Sequence, residues 1–198
     1  MSLAFQVLSG ASVESVVPDL ARLRVTVFRD WPYLYEGSLD YERKYLAKYV
    51  KLPRATIVIA KDGDAIVGAS TALPLTDSEA ELQKPFVDAG FDPADVYYYG
   101  ESVLLAEYRG QGAGVRFFVE REKRARDLGF NLATFCGVVR PTDHPARPAD
   151  YVPLDAFWTK RGFKPRPDLT ASFEWLDLGD TAPTHKPMAF WTKDLAKA

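Results

Sequence analysis

Three glycines stand at every second position in YRGQGAG, the stretch from Tyr108 to Gly114. Glycine lets a backbone approach a ligand closely, and the first amides of a helix have no acceptor inside that helix. Such amides, together with the helix dipole, form an anion site that typically binds phosphate. The pattern therefore predicts a phosphorylated ligand between a strand that ends near Leu105 and the helix that follows.

Neither common nucleotide-binding motif accounts for these glycines. A P-loop requires a lysine and then serine or threonine after its last glycine, whereas Val115 and Arg116 follow Gly114. A dinucleotide fingerprint requires a further glycine at 115 or 117, and those positions hold valine and phenylalanine. The pattern that remains is an arginine at 109, two residues, a glycine, one residue and another glycine.

Glu101 is the one acidic residue inside the predicted strand 96–105. Strand alternation places it on one face with Tyr97, Tyr99 and Val103. A carboxylate among aromatic rings is a stronger base than one in water, because desolvation disfavours its charged form. Glu101 is therefore a candidate general base, and the alternative is a buried glutamate paired with an arginine or with backbone.

The other candidate reactive side chains are few. A single cysteine, Cys136, excludes an internal disulfide and is consistent with a reducing compartment. It could be the nucleophile of a hydrolase, although a lone cysteine in an apolar strand is more often a core residue. The two histidines, His144 and His185, are far apart in the sequence and predict no metal site.

The composition is that of an ordinary globular protein. The 25 basic and 27 acidic residues are well mixed and give a net charge of -2, which favours neither a nucleic-acid partner nor a membrane surface. The longest apolar runs are far shorter than the roughly 20 residues of a membrane span, and the first residues do not resemble a secretory signal. We expect a single domain over residues 1–198, located in the cytoplasm.

Hydrophobic periodicity and turn residues predict alternating strands and helices. The predicted strands are 4–8, 56–60, 65–73, 96–105, 131–139, 172–178 and 188–193. The predicted helices are about 20–29, 40–50, 77–89, the helix that begins at the glycines, and 154–160. The helix at the glycines is expected to bury Val115, Phe118, Val119, Ala125 and Leu128. This order of elements predicts an α/β (α+β) fold with at least one strand-helix-strand unit.

The chain resembles the GNAT superfamily, the acyl-CoA-dependent N-acyltransferases. Arg109, Gly112 and Gly114 match the family's pyrophosphate motif, which is Arg or Gln, two residues, Gly, one residue, and Gly or Ala. FWTKRGF, from Phe157 to Phe163, is similar to an aromatic element near the family's C-terminus. The resemblance covers essentially the whole chain. It implies a central mixed, mostly antiparallel twisted sheet of about seven strands, flanked by about four to five helices.

The resemblance also implies acetyl-CoA as cosubstrate, with no metal. Peptide groups at Leu104 and Leu105 would pair with its pantetheine arm like an added strand, and a main-chain donor near Leu104 would form an oxyanion site. The residues implied to bind the cofactor are Val103, Leu104, Leu105, Arg109, Gly110, Gln111, Gly112, Ala113, Gly114, Phe157 and Trp158.

One position departs from the family pattern. Family members often have a tyrosine that protonates the departing thiolate, and Trp158 stands there instead. Tryptophan cannot supply this proton, so Tyr151 is the candidate substitute and second catalytic residue. The departure leaves open a second function, an acyl-CoA-binding sensor or scaffold with weak or no turnover.

FRDWPYLYEG, residues 28–37, concentrates aromatic rings in the connection that borders the acceptor pocket of the superfamily. Rings with a polar edge suit a partly apolar amine, and Arg140, Arg147 and His144 could meet a substrate carboxylate. The candidate substrate-binding residues are Phe28, Trp31, Tyr33, Tyr35, Tyr99, Arg140 and His144. The predicted reaction is direct acetyl transfer, in a ternary complex, to the primary amine of a small molecule or peptide. Analogy with the family also permits a homodimer.

Overall fold

A seven-stranded sheet lies at the centre of the computed structural model, which describes residues 3–196. The spatial order is β1-β2-β3-β4-β5-β7-β6, and only β4 and β5 are parallel neighbours. The predicted mixed, mostly antiparallel sheet is thus confirmed. The strands are β1 (Ala4–Leu8), β2 (Thr56–Asp62), β3 (Ala65–Pro74), β4 (Val96–Leu104), β5 (Leu132–Val138), β6 (Lys164–Trp175) and β7 (Thr184–Asp194).

Five α-helices in the described part of the chain flank this sheet, as predicted. They are α1 (Val17–Val27), α2 (Leu39–Val50), α3 (Ala80–Asp88), α4 (Ala113–Asp127) and α5 (Asp155–Lys160). The first three pack in one apolar core, which includes Leu23, Leu46 and Phe86. The last two pack in another core on the opposite face, around Phe118 and Phe163. The sheet therefore separates an α1–α2 layer from an α4–α5 layer.

Strands β6 and β7 are both longer than predicted. The sequence predicts β6 from residue 172, yet the strand begins at Lys164 and includes Pro165 and Pro167. It lies at the edge of the sheet, where a proline removes only an amide that would face solvent. The prolines therefore delimit a sheet edge and do not end the strand.

The buried face of α4 differs from the prediction. Val115 and Val119 are 39% and 50% exposed, whereas Phe117 and Arg121 are buried. The prediction was wrong for the two valines, whereas Phe118 and Ala125 are buried as expected. With Arg121 on the inner side, the buried stripe includes Phe118 and has ordinary helical spacing.

A β-bulge interrupts the pairing of β3 with β4. Ser70 pairs with Ser102, but Ala72 pairs with Tyr99, so a single β3 residue opposes both Gly100 and Glu101. The extra residue reverses the alternation of side chains along the rest of β4.

The reversal corrects the predicted location of Glu101. Tyr97 and Tyr99 pack in the core of the α4–α5 layer. Glu101 makes an ion pair with Arg24 of α1, and Val103 joins the core of the α1–α2 layer. The predicted single face for these four strand residues is therefore wrong, because the alternation rule holds only for an unbroken strand.

Arg121 satisfies the backbone groups that the bulge leaves without strand partners. Its guanidinium donates to the carbonyl oxygens of Thr71 and Glu101, both at 3.3 Å, and to the Ser102 hydroxyl at 3.0 Å. The guanidinium also lies 4.5 Å from the ring centroid of Tyr99. Burial lowers the pKa of Arg121 to about 10, so the side chain is still charged at neutral pH.

Replacing this arginine tests its role in the bulge. Arg121→Met keeps much of the side-chain volume but leaves buried acceptors without donors. We expect the free energy of unfolding in denaturant to fall by about 2 to 4 kcal/mol. Arg116→Met is the control on the same helix: Arg116 is exposed and pairs with Glu120, so its loss should change stability by about 0.5 kcal/mol or less. Equal stability of the two variants would contradict the assignment.

Candidate active site

An opening separates the C-terminal halves of β4 and β5. The two strands pair only over Val96–Tyr98 and Leu132–Thr134. Beyond this, β5 continues alongside β7, and the edge of β4 has no neighbouring strand. The Leu105 amide donates to Val67 of β3 at 3.0 Å, so by antiparallel alternation the Leu104 amide faces the opening. Of the two predicted peptide donors, only Leu104 is thus directed there.

The glycine-rich turn between β4 and α4 has the conformation of an anion-binding loop. Gly110 and Gly112 have φ angles of +76° and +87°, in the left-handed region that strongly favours glycine. The first helical bond of α4 runs from the Arg116 amide to the Gly112 carbonyl. The amides of residues 113–115 therefore have no acceptor within the helix. They lie at its positive end, where a phosphate group would be stabilised.

The third glycine of the motif has a packing role. A Cβ added at Gly114 would lie 3.3 Å from Cζ of Phe157, which is tighter than an ordinary contact. Phe157 also packs edge-on against Phe118 of α4. The predicted cofactor residue Phe157 thus joins α5 to the beginning of α4.

The polar side chains of the turn leave its amides accessible. The guanidinium of Arg109 lies 3.3 Å from both the Leu104 carbonyl and the Asp30 carboxylate, and it is half exposed. Gln111 donates its side-chain amide back to the Glu107 carbonyl at 3.0 Å. Both side chains fold back onto the chain, so the main chain of the turn is the part that a ligand can reach.

A buried triad of charged residues lies on the α1 side of the sheet. Arg24 pairs with Glu101 at 2.7 Å and also with Glu42, and it lies between the rings of Phe28 and Tyr45. Burial alone would lower the pKa of Arg24, but the nearby anionic groups, led by Glu101, raise it. Two carboxylates and one guanidinium give this Arg24 triad a net charge of -1.

Glu101 keeps one oxygen without a partner. Its side chain is 8% exposed, and Oε1 accepts no hydrogen bond from any group in residues 3–196. The pairing with an arginine, the alternative from the sequence, is thus observed, and the general-base role stays a prediction. One oxygen is held by Arg24, and the other is available to accept a proton.

A second charged cluster holds the end of β5 to β7 and to the segment that follows β6. Arg140 contacts both oxygens of Asp177, at 2.6 and 2.9 Å, and Lys186 lies 3.2 Å from the same carboxylate. Arg140 also donates to the carbonyl oxygens of Pro32 and Tyr33. Four of its five N–H groups are thus engaged within the protein, and a contact with substrate stays a prediction. We call Arg140, Asp177 and Lys186 the Asp177 cluster.

The Asp177 cluster and nearby main-chain hydrogen bonds fix the α1–α2 loop, residues 28–38. Leu34 has a φ of +54°, a left-handed conformation that costs a leucine about 1 to 2 kcal/mol. The Leu178 amide donates to the Leu34 carbonyl at 2.7 Å, and the Glu36 amide donates to Leu176 at 2.9 Å. The loop is therefore held in a strained shape by several independent bonds, as is common at functional sites.

Tyr33 lies between the Arg24 triad and the Asp177 cluster. Its carbonyl accepts from Arg140 and from the Trp175 indole, and its ring lies 4.6 Å from Phe28. Burial, with smaller effects from the nearby Cys136 and Glu101, raises the pKa of the Tyr33 hydroxyl. The phenol therefore stays protonated and can act as a hydrogen-bond donor.

A cavity of about 340 Å³ lies between the α1–α2 loop, the end of β5 and the beginning of α5. We call it the aromatic cavity. It brings together four of the predicted site residues, which are distant in sequence: Trp31, Arg140, Tyr151 and Trp158. Its complete lining is Trp31, Pro32, Gly137, Val138, Val139, Arg140, Thr142, Arg147, Tyr151, Pro153, Leu154, Asp155, Trp158, Ala189 and Trp191.

Other predicted site residues lie outside this cavity. Tyr99 is 1% exposed and packs against Phe118 and Phe163, so the prediction that it contacts substrate is wrong. Tyr35 lies beside Glu42, and burial, reinforced by that carboxylate, raises its pKa. The His144 ring packs 5.1 Å from Trp31, and its Nδ1 accepts from the Ala146 amide, as expected for a residue that stabilises its loop.

Cys136 lacks the features of a nucleophile. Its thiol is buried and lies 3.3 Å from the Tyr98 hydroxyl. Burial raises the pKa of the thiol to about 12, which keeps it protonated at neutral pH. The hydrolase alternative therefore has no activated sulfur.

Sequence reasoning missed Arg24, Glu42, Asp177 and Lys186. All four carry charge, and charged residues are usually exposed. One signal was available for Arg24, because it falls at helical spacing within the apolar stripe that contains Leu20. The other three are buried by contacts with segments distant in the sequence.

Solved structures with the same fold support this description. Ribosomal-protein-alanine N-acetyltransferase from Brucella melitensis is 14% identical over 96% of this chain and 99% of its own, with a TM-score of 0.63. YncA from Salmonella typhimurium, solved with its cofactor acetyl-CoA, is 8% identical over 100% and 96%, with a TM-score of 0.59. PaiA N-acetyltransferase from Thermoplasma acidophilum, in complex with coenzyme A, is 15% identical over 98% and 99%, with a TM-score of 0.54. The fold is therefore that of acetyltransferases.

The sequence profile of the Acetyltransferase (GNAT) family matches residues 21–163. The chain belongs to this family, as the glycine motif predicted. No curated protein sequence matches the chain. Across residues 3–196, no helix combines the length and apolarity needed to cross a membrane.

The Asp177 cluster gives a pH-dependent prediction. Burial alone would raise the pKa of Asp177, but Arg140 and Lys186 lower it below its ordinary value. The stabilisation is therefore present above the ordinary aspartate pKa of about 3.9 and is lost as the pH falls through the lower folded value. Asp177→Asn should reduce the free energy of unfolding by about 3 kcal/mol at pH 7, and this difference should shrink below about pH 4.

Denaturant unfolding at several pH values would measure this difference. Asp168→Asn is the matched control, because Arg166 also lowers the pKa of Asp168 but the pair is largely exposed. The control should remain close to the wild type at every pH. An Asp177→Asn protein with wild-type stability at pH 7 would contradict the role given to the cluster.

Proposed function

We propose that the protein transfers an acetyl group from acetyl-CoA to the primary amine of a small molecule or peptide, by direct transfer in a ternary complex. The observation that carries the proposal is the continuity between the glycine turn and the opening beside β4. Free amides at residues 113–115 suit a pyrophosphate, and the adjoining Leu104 amide faces the space where an extended arm can follow the strand. We expect the reaction to take place in the cytoplasm.

The chain's own residues suit coenzyme A in three ways. Gly110 and Gly112 shape the turn, and their lack of side chains leaves its amides open. The unpaired edge of β4 can accept an added strand. Phe157 and Trp158 of α5 supply apolar surface near the same opening. Bound there, acetyl-CoA would supply an activated acyl group.

Glu101 is the proposed general base. The amine nitrogen forms a bond to the acyl carbon, the carbon–sulfur bond breaks, and coenzyme A leaves as the thiolate. The proton lost by the amine goes to Oε1 of Glu101, the oxygen that Arg24 does not hold. The Leu104 amide is the proposed donor to the developing oxyanion.

Tyr151 is the proposed proton donor to the departing thiolate. It lines the aromatic cavity together with Trp158, and burial raises its pKa, which keeps its proton available at neutral pH. Trp158 packs 5.0 Å from Phe135 and 5.2 Å from Trp191. Its role is then to form a wall of the site, since an indole cannot supply the proton.

Trp158 also favours a second candidate function, an acyl-CoA-binding sensor or scaffold with little turnover. Incubation with acetyl-CoA and a library of primary amines separates the two functions. An acetyltransferase releases free thiol in proportion to added amine. A sensor binds acetyl-CoA in calorimetry and releases none.

The two ends of α4 provide a matched pair of variants for the cofactor site. Gly112 and Gly129 both have positive φ, and an added Cβ at either position would meet no atom within 4 Å. Both alanine variants should therefore lose similar stability, about 1 kcal/mol. Only Gly112→Ala should weaken coenzyme A binding, by about tenfold, because it displaces the amides that hold the pyrophosphate. Calorimetric titration measures this, and equal affinities would contradict the proposed site.

The base is tested by a pair of variants around one arginine. Glu101→Gln should lower the rate of acetyl transfer by about a hundredfold and leave coenzyme A affinity unchanged. Glu42→Gln removes the other carboxylate held by Arg24, so it reproduces the disturbance of the triad without removing the base. A full rate in Glu101→Gln, or equal losses in both variants, would show that Glu101 is not the base.

A further inference from the structure

The walls of the aromatic cavity suit a flat, apolar group. Trp31, Trp158, Trp191 and Tyr151 line it. Gly137 lies under the indole of Trp158, where an added Cβ would be only 3.3 Å from the ring. Gly137 pairs across the sheet with Ala189, so this part of the floor carries almost no side chain. Trp158 itself covers this part of the floor, so a planar ligand ring would pack against the walls that the indoles form.

The cavity lining offers one cationic donor, Arg147, that makes no ion pair in residues 3–196. The indole N–H of Trp31 is buried and has no acceptor in residues 3–196. The Arg147 guanidinium lies 5.2 Å from the Tyr151 ring centroid and makes no ion pair within the same range. Arg140, the other arginine of the lining, is held by Asp177. The Arg147 guanidinium is therefore the cation of the lining that can bind a ligand carboxylate.

The cavity also has an anionic position. Asp155, the first residue of α5, lines it and makes no ion pair in the part of the chain that the structure describes. Asp155, Arg147 and Tyr151 all line the same cavity. One free cation and one free anion around the same ring suit a ligand that carries both a carboxylate and an ammonium group.

We propose that the acceptor is an aromatic amino carboxylate, an amine whose carboxylate binds Arg147 and whose ring stacks between Trp31 and Trp158. This inference rests on the proposed acetyl transfer and narrows its acceptor. Tyr33 lies between the two parts of the site, because it follows Pro32 of the cavity lining and its ring packs 4.6 Å from Phe28, which contacts Arg24 of the triad. The amine of the acceptor is then proposed to point toward this side of the cavity.

The first experiment measures binding without transfer. 3-Phenylpropionate has the ring and the carboxylate but no amine, so it cannot be acetylated. Titration into the wild-type protein should change the tryptophan fluorescence, since three tryptophans line the cavity. Arg147→Gln should weaken binding by about tenfold or more, and Arg147→Lys should restore part of it. Arg54→Gln is the control: Arg54 also stacks on a ring, that of Phe130, but lies outside the cavity lining.

The second experiment compares acceptors. The ratio of kcat/KM for L-phenylalanine to kcat/KM for phenethylamine should exceed about 10 in the wild type and approach 1 in Arg147→Gln.

Transfer to amines with no such preference would refute this inference and leave the proposed function intact. Absence of transfer to any amine would refute the proposed function, and 3-phenylpropionate binding would still decide whether the cavity takes an aromatic carboxylate. If neither 3-phenylpropionate nor L-phenylalanine binds, or Arg147→Gln binds as tightly as the wild type, the inference is wrong.

Discussion

One extra residue in β4 determines how the candidate site is arranged. Because Thr71 faces both Gly100 and Glu101, the glutamate turns toward α1 and away from the aromatic core under α4. Arg121 makes this irregular backbone stable, since it donates to acceptors that the strand pairing no longer satisfies. Without the bulge, the carboxylate proposed as base would lie in the α4–α5 layer, where Arg24 could not reach it. A local break in regular pairing thus places a charged group on the side of the sheet that faces the α1–α2 loop.

Two charged clusters of opposite net sign surround that loop. The Arg24 triad carries one excess negative charge, and the Asp177 cluster carries one excess positive charge. Buried ion pairs contribute little net stability, because desolvation offsets most of their attraction. The two clusters instead hold the α1–α2 loop in a fixed position. They fix the loop from two sides, with Tyr33 between them, and leave one oxygen of Glu101 free.

The sequence predicted the parts of the protein that depend on local signals. Apolar periodicity was sufficient for most elements, the glycines around Gly112 predicted the turn, and the family followed from the resemblance of the motif at Arg109, Gly112 and Gly114 to the family's pattern. The bulge could not be predicted, because it depends on the register between β3 and β4, whose paired residues are distant in the chain. Tyr99 and Glu101 were therefore assigned to one face. The burial of Arg121 and the pairing of Arg140 were missed for a related reason, since their partners are carbonyls and a carboxylate brought near only by folding.

The environment of Lys186 has a consequence for a member of an acetyltransferase family. This lysine is 3% exposed, and its ammonium group contacts Asp177 and donates to the carbonyl oxygens of Trp175 and Thr184. Burial and these contacts keep the amine out of reach of molecules at the surface. A side chain that helps to hold the loop is thus one that an acyl donor outside the core cannot contact.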